Sequence, residues 1–109
     1  MISTRKNDTI TWIDVELPSA DEVKKLMTEY SLPIEIAEDI RLPNHAQNCI
    51  YAGDYIYLVL HFPVFKQSHN HKMGSIQEID FIVSKNSIIT VRYDNIEPLH
   101  SFSKLFETN

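Results

Sequence analysis

Alternation of apolar and polar residues predicts a strand near the start of the chain. In the segment 9–17, odd and even positions point to opposite faces of an extended backbone. The face that carries Ile13 and Val15 is the more apolar one, so we expect it to meet the core. Trp12 lies on the other face, where an aromatic side chain beside a helix usually serves packing.

Two helices are predicted after this strand. Ser19 and Glu22 have the spacing of a capping box, in which side chains and backbone N–H groups bond reciprocally, so a helix should run from there to about Tyr30. Pro33 suits the first turn of a second, short helix that ends near Arg41.

Four further strands and a last helix are predicted in the rest of the chain. Gly53 and Asp54 suit a tight hairpin turn, and a polar turn at 84–86 suits another. The predicted strands are 48–52, 55–65, 75–83 and 87–93, and the last helix is 96–106. Helices therefore cover an antiparallel-rich mixed sheet, which is an α+β or mixed α/β fold.

Composition fits one globular domain over residues 1–109. The chain is 43% hydrophobic and 23% charged, with a net charge of -5, a calculated pI of about 5.4 and no basic run, so nucleic-acid binding is not expected. Its longest apolar run, 55–60, is far shorter than a membrane span, so this segment should not insert into a bilayer. One cysteine excludes an internal disulfide.

An acidic face on the second helix is the main candidate for chemistry. Helical spacing places Glu35, Glu38 and Asp39 together, away from the apolar stripe. Because Mg²⁺ prefers carboxylate oxygens and water, a cation would relieve their repulsion. The alternative from spacing alone is a solvated acidic face without a ligand.

Other reactive residues give no enzyme motif. Residues 69–71, His-Asn-His, could chelate a metal, but no obvious further ligands complete a zinc site, and a polar loop is the favoured interpretation. Cys49 with His45 could be imagined as nucleophile and base, but a buried, inert strand cysteine is favoured. His61 is expected to be a hydrogen-bonded strand residue. No catalytic residues and no enzymatic activity are predicted.

Four segments in register resemble the CorA family of magnesium and cobalt transporters. They are Trp12-Ile13-Asp14 on the first strand, Ala37-Glu38-Asp39-Ile40, the aromatic and aliphatic run 54–60, and the hairpin 81–91 with Lys-Asn at its turn. No segment is specific alone, but the four in order make coincidence improbable. The likeness covers roughly residues 10–106. The family's Gly-Met-Asn tripeptide, which follows its first membrane helix, does not occur in these 109 residues.

This resemblance implies the cytoplasmic N-terminal domain of a transporter, at the inner face of the cell membrane. The implied partners are other subunits of a homo-pentamer and the chain's own stalk and membrane helices. Glu38 and Asp39 match a Glu-Asp pair at the family's regulatory cation sites, whose other ligands come from a neighbouring stalk helix. The implied ion is Mg²⁺, weakly bound in the isolated domain, with Co²⁺ as an alternative.

Two alternatives remain open at this point. The chain could be a free-standing interaction or ligand-binding module with the same fold, or a domain of a zinc-transporting relative. Many relatives also have a basic Arg-Pro-Lys segment where this chain has residues 46–48, Ala-Gln-Asn. Any contact made by that basic segment is therefore not expected here.

Overall fold

Six strands form one mixed sheet in the computed structural model, which describes residues 1–43, 48–64 and 75–93. The order across the sheet is β1-β2-β6-β5-β4-β3. The elements are β1 (Ile2–Lys6), β2 (Thr11–Glu16), α1 (Ala20–Tyr30), α2 (Ile34–Asp39), β3 (Asn48–Ala52), β4 (Tyr55–Val64), β5 (Ser75–Val83) and β6 (Ser87–Arg92).

The pairing confirms the predicted mixed, antiparallel-rich sheet. Strands β3, β4, β5 and β6 form an antiparallel meander, and β2 pairs parallel to β6 at its other side. Helices α1 and α2 connect β2 to β3. These two strands lie apart in the sheet, so a long connection is needed to join them. Strand β1, antiparallel to β2, was not predicted, because its residues after Ile2 are polar or charged.

Helix α1 begins where the capping box predicts. The Glu22 N–H donates to the Ser19 hydroxyl at 3.2 Å, and the Ser19 N–H donates to the Glu22 carboxylate at 2.9 Å. The backbone bond from Ser19, followed by the hydrogen bond from the terminal ammonium of Met1, lowers the pKa of Glu22. The terminal ammonium of Met1 lies 3.0 Å from the same carboxylate. The start of α1 is therefore tied to the start of the chain.

Helix α2 is shorter than predicted. It ends at Asp39 rather than near Arg41, and Pro33 is its N-cap rather than a residue of its first turn. Ile36 and Ala37 are buried, and so is Ile40 just beyond the helix. These apolar residues pack α2 against the sheet.

Both helices pack on one face of the sheet, which we call the helix face. Val23 and Leu26 of α1 join the sheet residues Ile13, Val15 and Val59 in one buried cluster. Ile13, Val15 and Val59 are fully buried, as alternation predicts. Leu17 departs from that prediction, because it follows the last residue of β2 with a positive φ of 49° and is exposed.

The opposite face carries a buried polar network. The Trp12 indole N–H donates to the Thr90 hydroxyl at 2.8 Å, and that hydroxyl donates to Asp14 at 3.0 Å. The Arg92 guanidinium holds the same carboxylate at 3.1 Å, and Arg5 lies over the Trp12 ring. The prediction that Trp12 serves packing is confirmed, since only 3% of its surface is exposed.

Several predictions fall outside the described residues. These are the last helix at 96–106, the His-Asn-His segment at 69–71, His45 and most of the segment 46–48.

Candidate cation site at the end of helix α2

The three predicted carboxylates of α2 differ in solvent exposure. Glu35 and Glu38 are exposed, whereas Asp39 is half-buried. The difference follows from position, because Asp39 is the last residue of the helix and lies next to the fully buried Ile40. The prediction that Asp39 faces away from the core is therefore wrong.

The carboxylate of Asp39 is held by a tyrosine of the sheet. The Tyr57 hydroxyl donates to Asp39 Oδ2 at 2.7 Å, an ordinary distance for an O–H donor and an oxygen acceptor. Only 1% of Tyr57 is exposed, and burial followed by the hydrogen bond to Asp39 raises its pKa. The phenol therefore stays protonated and remains a donor. Sequence patterns could not show this pair, because the partners lie on separate elements.

A buried carboxyl, Asp80, lies on the other side of the Tyr57 hydroxyl. Its Oδ2 is 3.1 Å from the Tyr57 hydroxyl and also 3.1 Å from that of Tyr93. Asp80 is on the central strand β5, directly between Val59 and Val91 of the neighbouring strands, and it is 0% exposed. Burial, then the hydrogen bond and charge of Glu78, raise its pKa to about 9.

Tyr93 makes a second contact between the sheet and the end of α2. Its hydroxyl donates to the Ile40 carbonyl at 2.7 Å, and burial raises its pKa as well. Each of the two phenols therefore contacts the end of α2, meaning Asp39 and the C-cap residue Ile40, at 2.7 Å and Asp80 at 3.1 Å. The end of α2 lies on a hydrogen-bonded support built from β4, β5 and the residue after β6.

The chemistry of the α2 carboxylates suits a hard cation, but the described part of the chain supplies too few ligands. Within residues 1–43, 48–64 and 75–93, no three side chains of His, Cys, Asp or Glu are placed to hold a metal ion. Carboxylate oxygens are nonetheless what Mg²⁺ selects. Asp39 and the exposed Glu38 could thus contribute to a site that other groups complete.

The other candidate residues lie away from the end of α2. Cys49 is exposed, so the prediction of a buried thiol is wrong. His61 Nε2 lies 3.7 Å from Glu78 in the strand pair β4 and β5, in keeping with a strand residue that has a polar neighbour. A cavity of about 610 Å³ lies between the 53–54 turn, the 84–86 turn and the 30–33 connection, and neither Glu38 nor Asp39 lines it.

Neither described helix has the length and apolar content needed to cross a bilayer.

Solved structures with the same fold include two of CorA and one of a protein named CmaX. The soluble domain of CorA from Methanocaldococcus jannaschii aligns with a TM-score of 0.70 and 19% identity, over 92% of this chain and 38% of that one. The complete CorA magnesium transporter of the same organism aligns with a TM-score of 0.73 and 16% identity, over 98% and 36%. The full-length CmaX protein aligns with a TM-score of 0.74 and 8% identity, over 94% and 31%.

These likenesses show the fold, and the chain spans only about a third of the length of each protein. No curated protein sequence matches the chain significantly. A family model described as CorA-like Mg²⁺ transporter protein matches residues 7–109. That match includes both helices and five of the six described strands. The chain therefore belongs to the CorA-like Mg²⁺ transporter family.

Proposed function

We propose that this chain is the regulatory domain of a CorA-type transport protein and senses a divalent cation on the cytoplasmic side of the inner membrane. Mg²⁺ is the proposed ion, with Co²⁺ as an alternative. The family match over residues 7–109 carries the proposal. The acidic end of α2, with Asp39 held by Tyr57, supports it, because a carboxylate of fixed orientation is a better ligand than a mobile one.

The proposed site lies between subunits. Glu38 and Asp39, with Glu35 one turn earlier, would supply oxygens from one subunit of a homo-pentamer, and a neighbouring subunit's stalk would supply the rest. An ion bridging two subunits stabilises the arrangement in which both sets of ligands meet. Transport itself is assigned to the membrane part of the assembled protein, and this domain would set how often it conducts.

The test is Mg²⁺-dependent protection from protease, measured on the assembled transporter that contains this chain. Glu38→Gln with Asp39→Asn removes both charges and keeps the side-chain shapes, so Tyr57 retains an oxygen acceptor. We expect the double variant to need at least about tenfold more Mg²⁺ for half-protection, the loss typical when groups that support a metal site are altered.

A control variant carries the same change in charge elsewhere. Asp8 and Glu29 are exposed and lie outside α2, so Asp8→Asn with Glu29→Gln should leave the Mg²⁺ requirement unchanged. Equal protection of the parent and the Glu38 and Asp39 variant, with equal melting temperatures, would remove these two carboxylates from regulation.

A further inference from the structure

The hydroxyl groups of Tyr57 and Tyr93, which contact the end of α2, have fewer protons to donate than acceptors within reach. Tyr57 has one hydroxyl proton and lies between two carboxyls, Asp39 at 2.7 Å and Asp80 at 3.1 Å. Tyr93 has one proton for the Ile40 carbonyl at 2.7 Å and Asp80 at 3.1 Å. Each phenol can donate only once, so the charge of Asp80 decides how strongly it competes with α2.

The distances indicate that both protons point to α2. An O–H group donates to the stronger and nearer acceptor, and both shorter contacts are with α2. A neutral Asp80 is a weaker acceptor than a carboxylate, so both hydroxyls donate to the end of α2 when Asp80 is neutral. An ionised Asp80 would draw both protons toward itself and weaken both bonds to α2.

The surroundings of Asp80 favour its neutral form. It lies between two valines in the centre of the sheet, and its Oδ1 receives no hydrogen bond from a donor group in the described part of the chain. A protonated carboxyl could instead donate to the neighbouring Glu78, which acts on the pKa of Asp80. Burial and the neighbouring Glu78 raise the pKa of Asp80 to about 9.

We propose that Asp80, Tyr57 and Tyr93 form a proton-dependent latch that fastens the end of helix α2 to the sheet. The latch is closed when Asp80 is neutral. When the end of α2 lifts, water reaches Asp80 and the carboxyl loses its proton. Opening therefore releases one proton, and a rise in pH favours the open form.

The direction and window of this effect follow from the two pKa values of Asp80. The closed value is about 9, and a hydrated aspartate has a value of about 3.9. The stabilisation is complete below the lower value and is lost as the pH rises to the higher one. Within that window the opening constant should rise about tenfold per pH unit, because one proton is released.

Amide hydrogen exchange measures this opening in the 109-residue chain. The backbone N–H groups of Ala37 and Ile40 are bonded within α2, so they exchange when it opens. Intrinsic exchange rises about tenfold per pH unit, and linked opening adds about tenfold more, so the rate should rise about 100-fold per unit between pH 6 and 8. The Val23 N–H, in the first turn of α1, is the internal control and should rise only about tenfold.

Asp80→Asn provides the decisive comparison. This side chain is neutral at every pH, so Ala37 and Ile40 should then show the same pH dependence as Val23. Tyr57→Phe removes one bond to α2 and should speed exchange at Ala37 and Ile40 roughly 2- to 10-fold, the net worth of one hydrogen bond. Tyr55→Phe makes the same change in the same strand, but that hydroxyl donates to Tyr30 of α1, so α2 should exchange as in the parent.

Other titratable groups near the latch define the contrary outcomes. Asp39 on α2, His61 on β4 and Glu78 on β5 face the cluster together with the two phenols. If the 100-fold dependence persists in Asp80→Asn and disappears in His61→Gln, the imidazole is the source and the proposal is wrong. A tenfold dependence at Ala37 and Ile40 in the parent also overturns it. If Asp80→Asn does not fold, the parent and His61→Gln decide the matter together: a 100-fold dependence in both supports the latch, and its loss in His61→Gln overturns it.

Discussion

At the scale of single residues, the two faces of the sheet bury an aspartate by different means. Asp14, 7% exposed, is matched by the guanidinium of Arg92 and the hydroxyl of Thr90, so an opposite charge compensates its own. Within the described residues, the hydrogen bonds to Asp80 come from two phenols and its charged neighbour is a second carboxyl, Glu78, so no cation is among its partners there. A buried acid without a counter-charge takes up a proton, so Asp80 fastens α2 in its neutral form.

Thr90 offers a test of the network around Asp14. Its hydroxyl accepts from Trp12 and donates to Asp14, and both partners are buried. Thr90→Val keeps the shape and removes both bonds, so we expect it to lower the free energy of unfolding by about 2–4 kcal/mol. Thr90→Ser keeps the hydroxyl and should cost less, about 1 kcal/mol for the lost methyl group. Urea denaturation compares them, and equal losses would show that the hydroxyl contributes little.

Residue patterns predicted the apolar core better than the polar site. Ile13, Val15 and Val59 follow the period of a strand, which depends only on neighbours along the chain. The contact between Asp39 and Tyr57 joins a helix end to a strand 18 residues later, and Asp80 lies a further 23 residues on. Since no local pattern encodes such contacts, the acidic face was predicted but the support beneath it was not.

At the scale of elements, boundaries set by specific backbone chemistry were predicted best. The capping box of Ser19 and Glu22 located the start of α1, and the turn at Gly53, which has a positive φ of 60°, located the β3–β4 hairpin. Strand β1 was missed because strands at a sheet edge need little apolar surface. The end of α2 was placed about two residues too late, because its C-cap is Ile40 and neither glycine nor asparagine marks it.

Strand β4 gives a test of the core at this scale. Val59 is 0% exposed on the helix face, directly opposite Asp80, so Val59→Asp would add a second carboxyl to a region that already holds a buried acid. We expect a loss of several kcal/mol, enough to unfold a domain of this size. Ile76→Asp, at a position of β5 that is 75% exposed, is the control and should melt near the parent temperature. A folded Val59→Asp variant would contradict the assigned strand register.

At the scale of the whole molecule, the two outer strands differ in how they discourage further pairing. Strand β1 carries Arg5 and Lys6, and charged side chains on an edge oppose the addition of another strand. Strand β3 has the sequence NCIYA and no charged residue. Ile50 is 37% exposed and Tyr51 is 80% exposed on this second edge, so β3 is the edge more prone to pair with a strand of another chain.

This difference predicts how the 109-residue chain behaves in solution. We expect it to be mainly monomeric at micromolar concentration, because the proposed subunit contacts need the stalk, and to associate weakly through β3 as concentration rises. Light scattering over a concentration series measures this association. Tyr51→Lys places a charge on the β3 edge and should abolish the rise in mass, whereas Ile76→Lys, which adds the same charge away from that edge, should not. A stable pentamer at micromolar concentration would show instead that this domain holds the main subunit interface itself.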